Sequence, residues 1–318
     1  SKSIINKKGQ IYTNTIAVDI EKDTKNYVVY TDNDKKITAK HVIMATRYPF
    51  MNLPGFYFSK LYQATSYIVA MDTKNVPLKD MYINVSSPIY SLRTAKFNGK
   101  DILLVAGGDC KTGHNSFSEN PYDVLINFAK QFYPDSDILY KWSSEDCISL
   151  DKLPYVGKFS NLLPNVYVGT GFKKWGMTLS NVSANLIVDE ICERENKYAY
   201  LFDSRRFDLL KNFDEVKNMV VDSTSSLLLN KLKSSNSSIE NIQPNSGAII
   251  ELDGKKVGVY RDMKNQIHAI SPICTHLGCL LTWNDIDKTW DCPCHGSRYD
   301  CYGKNIYGPA FKDLEVYQ

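Results

Sequence analysis

The chain has 318 residues, of which 43% are hydrophobic and 23% charged, and its formal net charge is +3. This length is enough for two domains, and the small net charge gives no electrostatic reason to expect nucleic acid or a membrane surface as a partner. The longest apolar runs fall far short of the roughly 20 residues that a membrane helix needs, so we predict no membrane span.

We predict a mixed α+β fold for the whole chain, in which the first two hundred residues form a mixed α/β domain. Short alternating strands, such as those at 11–20 and 26–33, stand beside helical patterns. One helix is predicted over 121–134, between two prolines, and another over 177–195, after the glycine-rich segment VGTGFKKWG.

The last third predicts a helical connection and a small all-β domain. Residues 205–233 have a helical pattern that ends at SSNSS, the best linker candidate in the chain. About 80 residues of short, glycine-punctuated strands follow. We therefore predict domains at 1–204 and 239–318, joined by a helical linker at 205–238.

Four of the eight cysteines and two of the five histidines fall in two short segments, CTHLGC (Cys274–Cys279) and CPCHGS (Cys292–Ser297). A disulfide scaffold leaves these histidines without a role. A zinc finger normally places paired cysteines before paired histidines, whereas each segment here mixes both types. A Rieske centre needs this mixture, because one iron takes two thiolates and the other two imidazoles. Structural zinc is the main alternative.

The two segments strongly resemble the Rieske iron-sulfur family of the cytochrome bc type. The resemblance implies a [2Fe-2S] cluster whose ligands, in the pattern C-x-H then C-x-x-H, are Cys274, His276, Cys292 and His295. It also implies a disulfide between the remaining pair, Cys279 and Cys294. Rieske ferredoxins and ring-hydroxylating oxygenases usually lack that pair.

Further residues match the surroundings of the cluster in high-potential Rieske proteins. Ser297 and Tyr299 stand where those proteins donate hydrogen bonds to a bridging sulfide and to a cysteine sulfur. Such bonds favour the reduced cluster, so we expect a potential in the upper part of the range of roughly −150 to +300 mV. The segment GPA at 308–310 fits the proline loop that covers the cluster.

The first domain is similar to FAD-dependent amine and amino-acid oxidoreductases related to glycine oxidase and D-amino-acid oxidase. Two segments carry the resemblance: 35–50, a hairpin and then a buried strand ending at Ala45 and Thr46, and 150–180, a strand, a glycine turn and a helix. The span from LYQATSYIVAMDT to LLVAGGDCKTG, residues 61–113, would supply the substrate-domain sheet. The resemblance implies that the flavin is lined by Gly169, Thr170, Gly171, Lys174, Trp175, Gly176, Met177 and Thr178.

Two departures from that family matter. Arg47 stands where the family often has glycine or another small residue, and no G-x-G-x-x-G occurs in the sequence. We therefore expect the chain to be the C-terminal part of a longer flavoprotein-Rieske fusion, one that keeps the cluster and binds FAD poorly or not at all. An inactive flavin fold is the alternative for this domain.

The fusion suggests an electron-transfer oxidoreductase with FAD and a [2Fe-2S] cluster as cofactors. FAD would oxidise an amine-like or other small substrate, and the cluster would pass single electrons to an unknown redox partner protein. The alternatives are reverse flow from cluster to flavin, or a redox-sensing or docking Rieske module on an inactive flavin fold. The polar start of the chain is unlike a secretory signal, so we expect a bacterial-type cytoplasmic protein.

The other cysteines and histidines give weaker signals, and no catalytic residue is predicted. Cys110, Cys147, Cys192 and Cys301 lack metal-ligand spacing and are expected to be inert thiols. His114 is a candidate for substrate contact, although a lone loop histidine is more often a surface residue. We expect His41 and His268 to be structural.

Overall fold

The computed structural model describes residues 1–74, 78–114, 117–206 and 238–317. The chain divides into two compact units. The first unit comprises Ser1–Tyr57, Leu153–Thr170 and Trp175–Phe207, and the second comprises Phe58–Lys152, Gly171–Lys174 and Asp208–Gln318.

Strands dominate the described residues, and the fold is mixed α+β as predicted. The strands, in chain order, are β1 (Ala17–Asp23), β2 (Asn26–Thr31), β3 (Lys36–Ala39), β4 (Val42–Met44), β5 (Leu61–Asp72), β6 (Tyr82–Ile83), β7 (Ser91–Phe97), β8 (Lys100–Lys111), β9 (Asp137–Ser149), β10 (Tyr155–Ser160), β11 (Leu163–Thr170), β12 (Ser246–Leu252), β13 (Lys255–Arg261), β14 (Ile267–Ile270), β15 (Thr282–Asn284), β16 (Thr289–Asp291), β17 (Arg298–Asp300), β18 (Asn305–Tyr307) and β19 (Val316–Tyr317). The α-helices are α1 (Lys2–Asn6), α2 (Pro121–Lys130), α3 (Gly176–Ile191) and α4 (Ala199–Phe202). Among the described residues, no helix combines the length and the apolarity of a membrane span.

The first unit contains two three-stranded sheets. One is an antiparallel meander in the order β1-β2-β3, and the other has the order β10-β11-β4, with β4 and β11 parallel. The predicted hairpin and strand at 35–50 correspond to β3 and β4, but β4 ends at Met44. It is also only partly buried, with Met44 buried and Ile43 49% exposed, because successive side chains of a strand point to opposite faces of the sheet.

The second unit contains a five-stranded antiparallel sheet in the order β6-β7-β8-β5-β9. The predicted substrate-domain span 61–113 contains four of its five strands, β5 to β8. Helix α2 packs on this sheet and buries Leu125 and Ala129 against Tyr67 and Leu103. Removing such side chains from water is what holds the helix to the sheet.

Both predicted helices in the described residues are shorter than their sequence patterns. Helix α2 ends at Lys130, because two successive N–H groups then bond to the carbonyl of Ala129 in a turn before Pro134. Helix α3 ends at Ile191, and Glu193 adopts a left-handed backbone with φ 53°. Residues 207–233 of the predicted helix 205–233 lie outside the described residues.

The C-terminal part of the second unit is all-β, as predicted. Two four-stranded sheets have the orders β12-β13-β14-β19 and β15-β16-β17-β18. Their side chains bury a core around Trp290, Tyr299, Leu281 and Ile270. The connections β14–β15 and β16–β17 carry the two cysteine-histidine segments. The domain boundaries at 204 and 238 stay predictions.

Candidate metal centre

The two cysteine-histidine segments, here called ligand loop 1 (residues 274–279) and ligand loop 2 (residues 292–297), have the same backbone design. In each, the N–H of the first residue donates to the carbonyl of the sixth, and the N–H of the fifth donates to the carbonyl of the first. These N···O distances are 2.8 and 3.0 Å in ligand loop 1 and 2.8 and 2.9 Å in ligand loop 2. The fifth residue is glycine in both, Gly278 and Gly296, each with φ 78°. Glycine is needed there because side chains disfavour that conformation.

The first cysteines of the two loops lie side by side in the interior. Cys274 is 2% exposed and Cys292 fully buried, and neither is in a disulfide. A hydrogen bond with Cys292 lowers the pKa of the Cys274 thiol to about 6, while the same contact and burial raise the pKa of Cys292. One thiol of the pair therefore ionises readily, and the thiolate is the form that binds metal.

The side chains of the two histidines meet in an edge-to-face arrangement. The ring centroids of His276 and His295 are 5.0 Å apart, with the rings at 89°. Burial lowers the pKa of His276 to about 4 and that of His295 to about 3, so both imidazoles are neutral at ordinary pH. A neutral ring nitrogen has the lone pair that a metal needs.

The last cysteines of the pattern serve a different purpose. The sulfurs of Cys279, Cys292 and Cys294 lie within 4.8 Å of one another, the geometry of a three-sulfur metal site. However, Cys279 and Cys294 form a disulfide, the pair that the resemblance implied. Their sulfurs are therefore not thiolate ligands, and the bond instead joins the two ligand loops.

Two buried hydroxyl groups approach the sulfur of Cys274. The hydroxyl of Tyr299 lies 3.4 Å from Cys274 Sγ and accepts a hydrogen bond of 3.2 Å from the N–H of Thr275. Ser297 also hydrogen-bonds this sulfur, while its Oγ accepts a 3.0 Å bond from the N–H of Ala310. The proline loop at 308–310 is therefore tied to ligand loop 2 through Ser297.

These groups fit a [2Fe-2S] cluster with two thiolate and two imidazole ligands. Two buried, unoxidised thiols stand next to a formed disulfide, two neutral imidazoles stand beside them, and hydroxyl groups reach a thiol sulfur. A four-ligand zinc site would use the same two cysteines and two histidines. Zinc does not require hydroxyl groups directed at a ligand sulfur, so these groups favour the cluster. The cluster would supply one-electron chemistry.

The residues predicted to line the flavin are divided between the two compact units. In the first unit, Gly169 and Thr170 end β11, and the Thr170 hydroxyl donates to the carbonyl of Arg47. In the second unit, Gly171 has φ 74°, and Lys174 forms an ion pair with Asp109.

The remaining predicted flavin residues open α3 in the first unit. Trp175 is 60% and Met177 89% exposed, and the Thr178 hydroxyl donates to the Trp175 carbonyl at 3.1 Å. Gly176 is the first residue of the helix. Exposed apolar side chains suit the face of a flat ring. The positive partial charge of a helix N-terminus suits a polarised carbonyl. The flavin role of all eight residues stays a prediction.

The scattered cysteines and histidines lie outside both ligand loops and outside the three-sulfur group. Burial raises the pKa of Cys110 to about 12 and also raises that of Cys301, which makes both thiols poor nucleophiles. Cys147 is buried and Cys192 exposed. The three other histidines are placed as follows: His114 and His41 are exposed, and the ring of His268 contacts those of Tyr260 and Tyr302.

One residue near the cluster loops was missed from the sequence. Gln63, on β5, is 1% exposed and donates to backbone carbonyls of ligand loop 2. It stands 232 positions before His295, in a strand whose other residues are mostly apolar. No local pattern distinguishes it from an ordinary strand glutamine.

Comparison with known proteins agrees with both resemblances. YhfW of Bacillus subtilis, which is named a Rieske 2Fe-2S iron-sulfur protein, is 35% identical over 99% of this chain. A cytochrome b6-f complex iron-sulfur subunit of Nostoc is 51% identical over 49 residues, which are 15% of this chain and 27% of that subunit. The chain spans 62% of the length of YhfW.

Solved structures support the fold of the first domain. Glycine oxidase from Geobacillus kaustophilus superimposes with a TM-score of 0.53 at 19% identity, covering 63% of this chain and 54% of the oxidase. Residues 2–190 match the family described as FAD dependent oxidoreductase, and residues 236–318 match the Rieske [2Fe-2S] domain. The chain therefore belongs to the FAD-dependent oxidoreductase family and carries a Rieske [2Fe-2S] domain at its C-terminal end.

Proposed function

We propose that the protein oxidises an amine-like or other small substrate and passes the electrons singly through the Rieske cluster to a redox partner protein. The observation that supports this most is that one compact unit holds both the five-stranded sheet of the oxidoreductase and the candidate cluster ligands. The substrate-domain sheet and the candidate cluster ligands are thus parts of one folded body. The bacterial cytoplasm stays our prediction for the compartment.

The proposed ligands are Cys274 and Cys292 for one iron and His276 and His295 for the other. When bound, FAD would accept a hydride from a C–H bond, and the cluster would carry one electron at a time. Residues that hydrogen-bond the ligand sulfurs would set the midpoint potential of the cluster. The hydroxyl of Tyr299 near Cys274 Sγ would stabilise the more negative, reduced cluster.

The direction of electron flow depends on the two midpoint potentials. If the cluster lies about 120 mV above the flavin, one-electron transfer is favoured about a hundredfold, at about 59 mV per decade. Hydrogen bonds directed at the cluster sulfurs favour this order, because they raise the cluster potential. Reverse flow requires the opposite order.

Anaerobic reduction of the full-length protein, loaded with FAD and iron, tests the proposal. A panel of small amines and amino acids is mixed with the protein, and flavin absorbance and the EPR signal of the cluster are followed together. We expect one compound to bleach the flavin and then to reduce the cluster. A flavin that no compound bleaches would favour the docking-module alternative, and a cluster potential below that of the flavin would favour reverse flow.

A further inference from the structure

Gln63 connects the five-stranded sheet to the cluster-binding end of the Rieske fold. Its Nε2 donates to the carbonyls of His295 at 3.1 Å, Gly296 at 3.0 Å and Gly308 at 2.6 Å. Two N–H hydrogens thus serve three acceptors, and the side chain is 1% exposed. One residue of β5 therefore holds both ligand loop 2 and the proline loop.

The backbone of ligand loop 2 lies directly against the sheet. A Cβ atom on Gly296 would stand 2.5 Å from Cβ of Gln63, and one on Gly113, just after β8, would stand 2.5 Å from the nitrogen of Pro293. Thr282, on β15, also donates to the carbonyl of Gly113 at 3.0 Å. At these points the ligand-loop backbone and the sheet are in direct contact.

A buried arginine on β17 also contacts the sheet. The contact surface between the five-stranded sheet and residues 282–308 is here called the seam. Arg298, 2% exposed, donates to Ser143 Oγ of β9 at 2.8 Å, and its Nε lies 3.6 Å from a carboxylate oxygen of Glu145. It also pairs with Asp287 at 2.7 Å and Asp291 at 2.9 Å within the Rieske fold. Burial opposes its charge, but the carboxylates outweigh burial and raise the pKa of Arg298.

The seam covers one of the two ligand histidines. The ring of Phe58, ahead of β5, meets that of His295 edge-on at 6.1 Å, and the Phe58 backbone hydrogen-bonds the imidazole. His295 is 5% exposed, whereas His276 is partly exposed. Phe58 therefore helps to cover the imidazole of His295, while part of the His276 side chain reaches solvent.

We propose that Gln63 is a positioning residue that holds ligand loop 2 against β5, so that the five-stranded sheet covers His295 and leaves His276 as the ligand facing an external redox partner. The Rieske fold is then a docked part of the oxidoreductase and does not swing free. The inference rests on the proposed ligand set. It does not depend on the substrate or on the direction of electron flow.

Acylation of histidine by diethyl pyrocarbonate tests the asymmetry in the cluster-loaded protein. Iron analysis first shows whether the cluster is present, which separates failure of the proposed ligand set from failure of this inference. Peptide mass spectrometry then follows both histidines with time. We expect His276 to react at least about tenfold faster than His295, the ratio for about 1.4 kcal/mol of opening free energy. Equal rates would overturn the inference.

The substitution Gln63→Met tests the role of Gln63, because methionine has a similar length and no N–H donor. We expect acylation of His295 to rise about tenfold, while that of His276 stays unchanged. Gln131→Met, at an exposed position after α2, is the matched control and should change neither rate. An unchanged His295 rate in the iron-loaded Gln63→Met protein would remove Gln63 from the positioning role.

Hydrogen exchange on the unmodified protein decides the question if Gln63→Met fails to bind iron. We expect the amides of 292–297 and those of β5 to exchange through one shared opening in mild denaturant. A separate and faster opening of 292–297 would describe a domain that undocks, and would overturn the inference.

Discussion

Ligand loops 1 and 2 have the same backbone and different surroundings. Each is closed by the same two hydrogen bonds and turns at a glycine with φ 78°. In ligand loop 1, Thr275 and Leu277 are exposed, whereas every residue of ligand loop 2 except Pro293 is buried. The short motif therefore determines the shape and the ligand types, and distant strands determine which ligand meets solvent.

The largest expected effect is the same for both ligand loops. Cys274→Ser and Cys292→Ser should each abolish the Rieske EPR signal and most of the bound iron, because both loops supply one ligand to each iron. Cys192→Ser, at an exposed cysteine, is the control and should retain both irons. A full signal in either ligand variant would contradict the proposed ligand set.

The next largest effect concerns Arg298, which directly follows ligand loop 2 and has no counterpart in the comparison with ligand loop 1. Arg298→Met removes the positive charge that is paired with the buried carboxylates of Asp287 and Asp291, so we expect the free energy of unfolding to fall by about 3–5 kcal/mol. Urea unfolding of the loaded protein measures this. Arg194→Met, which breaks the exposed pair with Asp189, should lower it by less than about 1 kcal/mol. Similar losses in the two variants would mean that the buried ion pairs of Arg298 contribute little to stability.

The two loop glycines give the sharpest comparison. Gly278→Ala should destabilise by about 1–2 kcal/mol through backbone strain alone, since nothing lies within 4 Å of the added Cβ. Gly296→Ala has the same strain and also an overlap with Gln63, which adds about 1–3 kcal/mol. Thermal or urea unfolding of both variants measures the difference. Equal values would show that ligand loop 2 is not packed against β5.

The smallest effect concerns the hydroxyl of Tyr299, on β17, which contacts ligand loop 1. Tyr299→Phe removes the contact with Cys274 Sγ, worth about 1 kcal/mol, and should lower the cluster midpoint potential by about 40 mV. Tyr302→Phe, at an exposed tyrosine, is the control. A potential that stays the same or rises in Tyr299→Phe would show that this hydroxyl does not stabilise the reduced cluster.

The sequence predicts what depends on neighbouring residues. The alternation of cysteine and histidine, the candidate disulfide pair and the all-β pattern of the C-terminal part all lie within short segments. The contacts of Gln63 and Arg298 with the opposite side of the seam join residues more than 140 positions apart, and no local period or motif signals them. The helix ends were missed for a related reason, because a turn and one left-handed residue stopped α2 and α3 before their patterns ended.

EPR of the dithionite-reduced protein, with iron and zinc analysis of the same sample, tests the central claim most directly. The account predicts the rhombic signal of a reduced Rieske centre and two irons per chain. A silent sample that contains one zinc per chain would contradict it, since the same two cysteines and two histidines would then form a structural zinc site.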